Sequence, residues 1–97
     1  MHLSPRQKRH LRSLAHKLKP VVLIGAAGLS EAVTRTVNEE LANHELIKVR
    51  VRHDDPAERD AIIDALGQNF NAALVQRMGH IVTLYRPHPE KPQIKLS

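Results

Sequence analysis

The chain has 97 residues, enough for one domain of ordinary size and too few for two. With 41% apolar and 26% charged residues it reads as a globular domain and not a disordered one. The absence of cysteine excludes a disulfide scaffold, a thiolate zinc site and a cysteine nucleophile together. The net charge of +5 is unevenly placed, since residues 1–20 hold six Lys/Arg and no acid, beside His2, His10 and His16. Residues 21–97 hold nine basic and ten acidic residues, with a basic segment at 46–52 and an acidic one at 53–71. Such segregation suits one basic and one acidic surface, which either meet an anionic polymer or are simply solvated. The uncharged apolar run Pro20 to Leu29 is roughly half of what a membrane-spanning helix needs. No apolar stretch of the secretory kind follows the basic start, so a cytoplasmic location is expected.

Ser4-Pro5-Arg6-Gln7 predicts a helix start, with Ser4 as cap, Pro5 in the first helical position and Gln7 closing a capping box. Leu11, Leu14, Ala15 and Leu18 follow as one apolar stripe, with a cationic flank beside it, and Pro20 is expected to end the helix. Val21-Val22-Leu23-Ile24 is apolar without interruption, the pattern of a strand covered on both faces. Gly25-Ala26-Ala27-Gly28 turns the chain into a second helix, capped by Ser30, striped by Val33, Val37 and Leu41, and ending near His44. Leu29 is placed to pack across its entry. Residues 46–52 alternate, with Ile47, Val49 and Val51 on one face of a strand and Lys48, Arg50 and Arg52 on the other.

Asp55-Pro56-Ala57-Glu58 has the spacing of a capping box opening a third helix, with Ala61, Ile62, Ala65 and Leu66 as its stripe. Gly67 or the segment 69–71 stops it. Residues 72–78 and 81–86 read as strands joined by a Gly79-His80 hairpin. Three prolines in 87–97 leave an extended tail. The expected architecture is α/β, in the order α-β-α-β-α-β-β. It is a two-layer sandwich around a four-stranded mixed sheet, with one domain at 1–87 and an extended C-terminal tail at 88–97.

The short glycine turn has a mechanical reading, a tight bend. It also has a functional one, in which Gly25, Ala26, Ala27 and Gly28 admit a nucleic-acid backbone beside a helix N-terminus. It matches neither the dinucleotide fingerprint nor a P-loop. Lys48, Arg50 and Arg52 form a cationic row on the strand next along, and phosphate contacts need such arrays. Arg6, Lys8, Arg9 and Arg12, with Lys17 and Lys19, present further cations from the first helix and its exit. Phe70 and Tyr85 are the only aromatic residues, and both fit core positions, so recognition by stacked bases is not expected. Asp54-Asp55 is explained by capping, Ser4 and Ser30 are caps, and the histidines lack metal-ligand spacing; no catalysis, cofactor or metal is expected.

Four segments carry a resemblance: Pro20-Val-Val-Leu-Ile-Gly-Ala-Ala-Gly-Leu29, Asn43-His-Glu-Leu-Ile-Lys-Val-Arg50, Val75-Gln-Arg-Met-Gly79 and Leu84-Tyr-Arg86. With the basic start Leu3-Ser-Pro-Arg-Gln-Lys-Arg-His-Leu11, they resemble the CRM domain (chloroplast RNA splicing and ribosome maturation), in its single-domain bacterial YhbY-like form. The resemblance implies a fold similar to the C-terminal domain of translation initiation factor three. It also implies an RNA-binding protein that associates with precursors of the large ribosomal subunit and assists their maturation; a monomer without catalysis is expected. By motif matching, Gly25 to Gly28 corresponds to the family's RNA-contacting GxxG loop. Ala26 and Ala27 depart from the polar or basic residues often found there, which leaves contacts to backbone N–H groups and neighbouring cations such as Lys48. The alternatives are a protein-interaction adaptor using the acidic segment 53–71 and the tail, and a DNA-binding architectural protein.

Overall fold

Local capping sets where each helix begins. The computed structural model describes residues 2–96. In it Ser4 Oγ accepts from the Gln7 N–H at 3.1 Å while Gln7 Oε1 accepts from the Ser4 N–H at 2.9 Å, closing the expected box at the head of α1 (Pro5–Ala15). The helix stops at Ala15 and not at Pro20, which instead opens β1 (Pro20–Ile24). The residue before a proline is driven out of the helical region, and the Leu18 N–H turns back to the Ala15 carbonyl at 2.9 Å.

Ser30 caps α2 (Glu31–His44) through the Val33 N–H at 3.2 Å. Asp55 caps α3 (Pro56–Asn69), but the box with Glu58 does not form. Asp55 Oδ1 accepts from the Ala57 N–H at 2.9 Å, and its own N–H is taken by His53 Nδ1 at 3.1 Å. The apolar stripe of α3 also differs from the expected one, because Ile62, Ile63 and Leu66 are buried while Ala61 is exposed. The larger side chain wins the core-facing position. Asn71, at φ +53, makes the turn after α3; asparagine tolerates this left-handed conformation better than most residues.

The remaining strands are β2 (Leu46–Val51), β3 (Ala73–Met78) and β4 (Ile81–Tyr85), and the sheet runs in the order β1-β2-β4-β3. As the sequence order predicts, β1 and β2 are parallel, while β4 pairs antiparallel with both β2 and β3. Gly79 at φ +60 begins the two-residue turn between β3 and β4, as a type II′ hairpin requires.

On one face of the sheet, α2 and α3 bury Ile24, Val37, Leu41, Val49, Val51, Leu66, Val82 and Leu84 in a continuous core with Phe70. This sheet-and-helix pair is the expected two-layer sandwich. The helix α1 adds a partial third layer on the opposite face, where Leu3, Leu11 and Ala15 pack against Leu46, Ala73, Val75 and Tyr85. It covers only the end of that face at the start of β2.

The other end of the face is bare. There β1 exposes Val21 and Leu23, at 45% and 56%, contrary to the reading of a strand covered on both sides. The reason is topological: β1 is an edge strand, and no helix follows it onto the α1 face. The register places Leu23, Arg50, Ile81 and Met78 side by side across this bare end.

Residues 86–96 contain no helix or strand, yet they are held. The carboxylate of Glu45, itself buried, accepts from the N–H groups of His88 at 2.6 Å, Gln93 at 2.9 Å and Ile94 at 2.9 Å. Ile94 and Leu96 then pack against the α1 cluster.

Candidate nucleic-acid interface

The parallel pairing of β1 with β2 brings their C-terminal ends together. The Arg52 N–H donates to the Ile24 carbonyl at 2.8 Å, so the Gly25–Gly28 loop begins beside Arg52. The Val51 N–H donates to the His80 carbonyl at 2.7 Å, which adds the β3–β4 turn to the same end of the sheet.

Within the loop the two glycines differ. Gly28 sits at φ +66, a conformation that costs any residue with a Cβ, and its N–H closes the turn on the Gly25 carbonyl at 3.0 Å. Gly25 has neither a positive φ nor an atom within 4 Å of where a Cβ would stand. The mechanical reading therefore accounts for Gly28 and leaves Gly25 without a structural requirement. Ala26 and Ala27 are exposed, and among the described residues their N–H groups make no hydrogen bond within the protein.

The cationic row of β2 lies on the face opposite α2 and α3. Lys48 is half-buried between Pro20 and Thr83, whereas Arg50 and Arg52 are exposed. Arg50 and Arg52 join Lys19 along one groove, floored by Pro20, Val21 and Leu23. Of the row read from the sequence, Lys48 does not line this groove, and Lys19, from the exit of α1, takes a place in it. Arg6, Lys8, Arg9 and Arg12 lie on α1, over the other half of the same face, and none of them lines that groove.

Among the described residues the ion pairs are Arg77 with Asp60 at 2.8 Å and His44 with Glu40 at 3.3 Å, both on the α2 and α3 side. Among the described residues, every Lys and Arg singled out from the sequence is thus without a carboxylate partner. The contrast is Arg86, whose guanidinium donates to Asn38 Oδ1 at 2.9 Å and to the Phe70 carbonyl at 3.0 Å, tying α2 to the end of α3.

Three residues at this end escaped the sequence reading. His53, Arg59 and His80 line a hollow of ≈ 490 Å³ together with Arg50, Arg52 and Asp54. Arg59 was hidden by charge counting, because it is the one basic residue in the acidic segment 53–71. Phe70 and Tyr85 are core residues as expected, and burial first, then the neighbouring Glu45 carboxylate, raises the Tyr85 phenol above its ordinary 10.0.

Fold and surface together define a class: a small α/β domain whose sheet is half bare, with several guanidinium groups close together at the bare end. The chain belongs to the CRS1/YhbY (CRM) domain family, whose description matches residues 3–86. It is 47% identical over 88 residues to a Haemophilus influenzae protein named as an RNA-binding protein, covering 91% of this chain and 89% of that one. It is 35% identical over 94 residues to the "probable RNA-binding protein YqeI" of Bacillus subtilis, covering 97% of this chain and 98% of that one. The solution structure of a hypothetical protein from Staphylococcus aureus superposes with a TM-score of 0.82 at 34% identity, covering 99% of this chain and 100% of that one.

Proposed function

We propose that this protein binds structured RNA through the bare end of its sheet and assists maturation of the large ribosomal subunit in the cytoplasm. The observation that carries the reading is the groove lined by Lys19, Arg50 and Arg52, three cations without carboxylate partners beside the Gly25–Gly28 loop. Phosphates passing along it exchange condensed counterions for guanidinium contacts, the main source of affinity in nucleic-acid binding. The free N–H groups of Ala26 and Ala27 offer the loop a backbone route to the same ribose-phosphate chain. Few aromatic side chains and an apolar floor of Val21 and Leu23 favour reading by phosphates and shape over base stacking. The names carried by the relatives support RNA as the partner; the ribosomal role rests on the family resemblance.

The testing experiment has two parts. Affinity for a structured RNA is measured against salt for the wild type, Arg50→Ala and Arg52→Ala. Each variant is expected to flatten the salt slope by about one unit with little change in sequence preference. An unchanged slope removes that residue from the interface, and duplex DNA bound as well as RNA favours an architectural DNA-binding role. Sedimentation of a lysate with and without ribonuclease then tests the ribosomal part. Nuclease-sensitive migration with large-subunit precursors is expected, and confinement to the top of the gradient in gentle salt overturns it.

A further inference from the structure

We infer that the hollow lined by Arg50, Arg52, His53, Asp54, Arg59 and His80 is a discrete phosphate site that grips one phosphodiester of the bound RNA, with Arg59 as its inner anchor. This rests on the RNA reading and names a contact within it.

The hollow is built from three separate parts of the chain. The end of β2 supplies Arg50 and Arg52, the first turn of α3 supplies Arg59, and the β3–β4 turn supplies His80. Arg59 is held in place, because its Nη1 donates to the His53 carbonyl at 3.1 Å. Its Nε is buried and has no hydrogen-bond partner, unlike any other buried side-chain nitrogen or oxygen among the described residues. A buried donor left unpaired is costly, and native proteins rarely keep one without a use for it. None of the three guanidinium groups forms an ion pair, although Asp54 stands in the same hollow.

Clustering three such groups incurs mutual repulsion, which an anion relieves. Planar guanidinium forks match the oxygens of a phosphate in a bidentate way that a compact halide cannot use. The strand's path decides which phosphate is held. Arg50 and Arg52 line both this hollow and the groove with Lys19, Val21 and Leu23, so a chain lying in the groove continues past both residues. An internal phosphodiester fits that continuity, and a terminal phosphate does not need it.

The test uses the whole protein. Inorganic phosphate is titrated while the backbone amide and Arg59 Nε–H signals are followed by NMR, with sodium chloride at equal ionic strength as control. Saturable shifts confined to residues 50–54, Arg59 and His80 are expected with phosphate and not with chloride. Shifts that never saturate, or that chloride reproduces, overturn the site. In RNA binding, Arg59→Gln is expected to weaken affinity about tenfold, with partial recovery in Arg59→Lys, because one charge-assisted contact is lost. His80→Asn, which keeps the backbone bond to Val51, gives a second variant should Arg59→Gln fail to fold. Arg77→Gln, altering a pair on the helix-covered face, is expected to bind as the wild type does. Equal losses on end-phosphorylated and dephosphorylated RNA support an internal phosphate, whereas loss only with the former assigns the site to a chain end. Wild-type affinity in both Arg59→Gln and His80→Asn overturns the inference and leaves the RNA reading standing. Phosphate binding by a protein that binds no RNA keeps the anion site but overturns its assignment to RNA, together with the RNA reading.

Discussion

The two faces of the same four strands have opposite fates. Beneath α2 and α3, alternate residues of β1, β2 and β4 are almost wholly buried in one apolar core. On the other side α1 and the returning tail cover one end of the sheet, and the second end shows Leu23, Arg50 and Met78 to solvent. Among the described residues the two ion pairs lie with α2 and α3, whereas Arg50 and Arg52 at the bare end have no carboxylate partner. Under the proposed function, stability and recognition fall to different faces, so they should respond separately to mutation.

The largest expected effect tests that separation. Leu84→Ala, on the covered face and fully buried, should cost about 2–5 kcal/mol in urea denaturation. Leu23→Ala, on the bare face, should change stability by no more than about 0.5 kcal/mol. Equal costs would mean that the bare end is part of the core after all.

Next comes the tail. Glu45→Ala removes the acceptor of three backbone N–H groups and should cost about 2 kcal/mol, with amide exchange at Gln93 and Ile94 rising to that of an open chain. Continued protection there would show that Ile94 and Leu96 suffice to hold the segment.

The glycine loop gives a smaller and more diagnostic difference. Gly28→Ala should lose about 1 kcal/mol to its positive φ, while Gly25→Ala should leave stability unchanged and lower RNA affinity. If Gly25→Ala binds RNA as well as the wild type, the loop is a turn and nothing more.

The smallest effect is a pH dependence. The Tyr85 phenol titrates above 10.0 in the folded protein, so the folded state holds its proton in a range where the unfolded chain has lost it. Its contribution to stability is complete below the unfolded value and declines as pH rises beyond it. Denaturation midpoints should fall less steeply above about pH 10 in Tyr85→Phe than in the wild type. Identical slopes would remove Tyr85 as the cause.

Much of the molecule is determined locally and was therefore legible in the sequence. Ser4 with Gln7, Ser30 and Asp55 begin their helices through bonds spanning two or three residues, and strict alternation in β2 assigns Ile47, Val49 and Val51 to the core. The Gly79-His80 hairpin and the mixed sheet follow from element order and turn chemistry in the same way. The cationic row was legible too, because period two keeps Lys48 and Arg50 on one face whatever the fold around them.

What waited for the tertiary structure were the facts that depend on a distant partner. Whether β1 is covered on one face or two depends on where α1 lands, and an apolar tetrapeptide holds no record of that. A register shift between Leu74 and Gln76 reverses the alternation within β3. Strict alternation would put Arg77 with Ala73 and Val75; the shift instead pairs it with Asp60 of α3 and leaves Gln76 and Met78 on the bare side. Glu45, one more acid in an acidic stretch by sequence, becomes the clamp of residues 43 to 49 positions away. Arg59 becomes part of a cationic hollow only once α3 starts beside the end of β2. Local bonding is encoded by near neighbours, whereas coverage, register and shared charge arise only when remote segments meet.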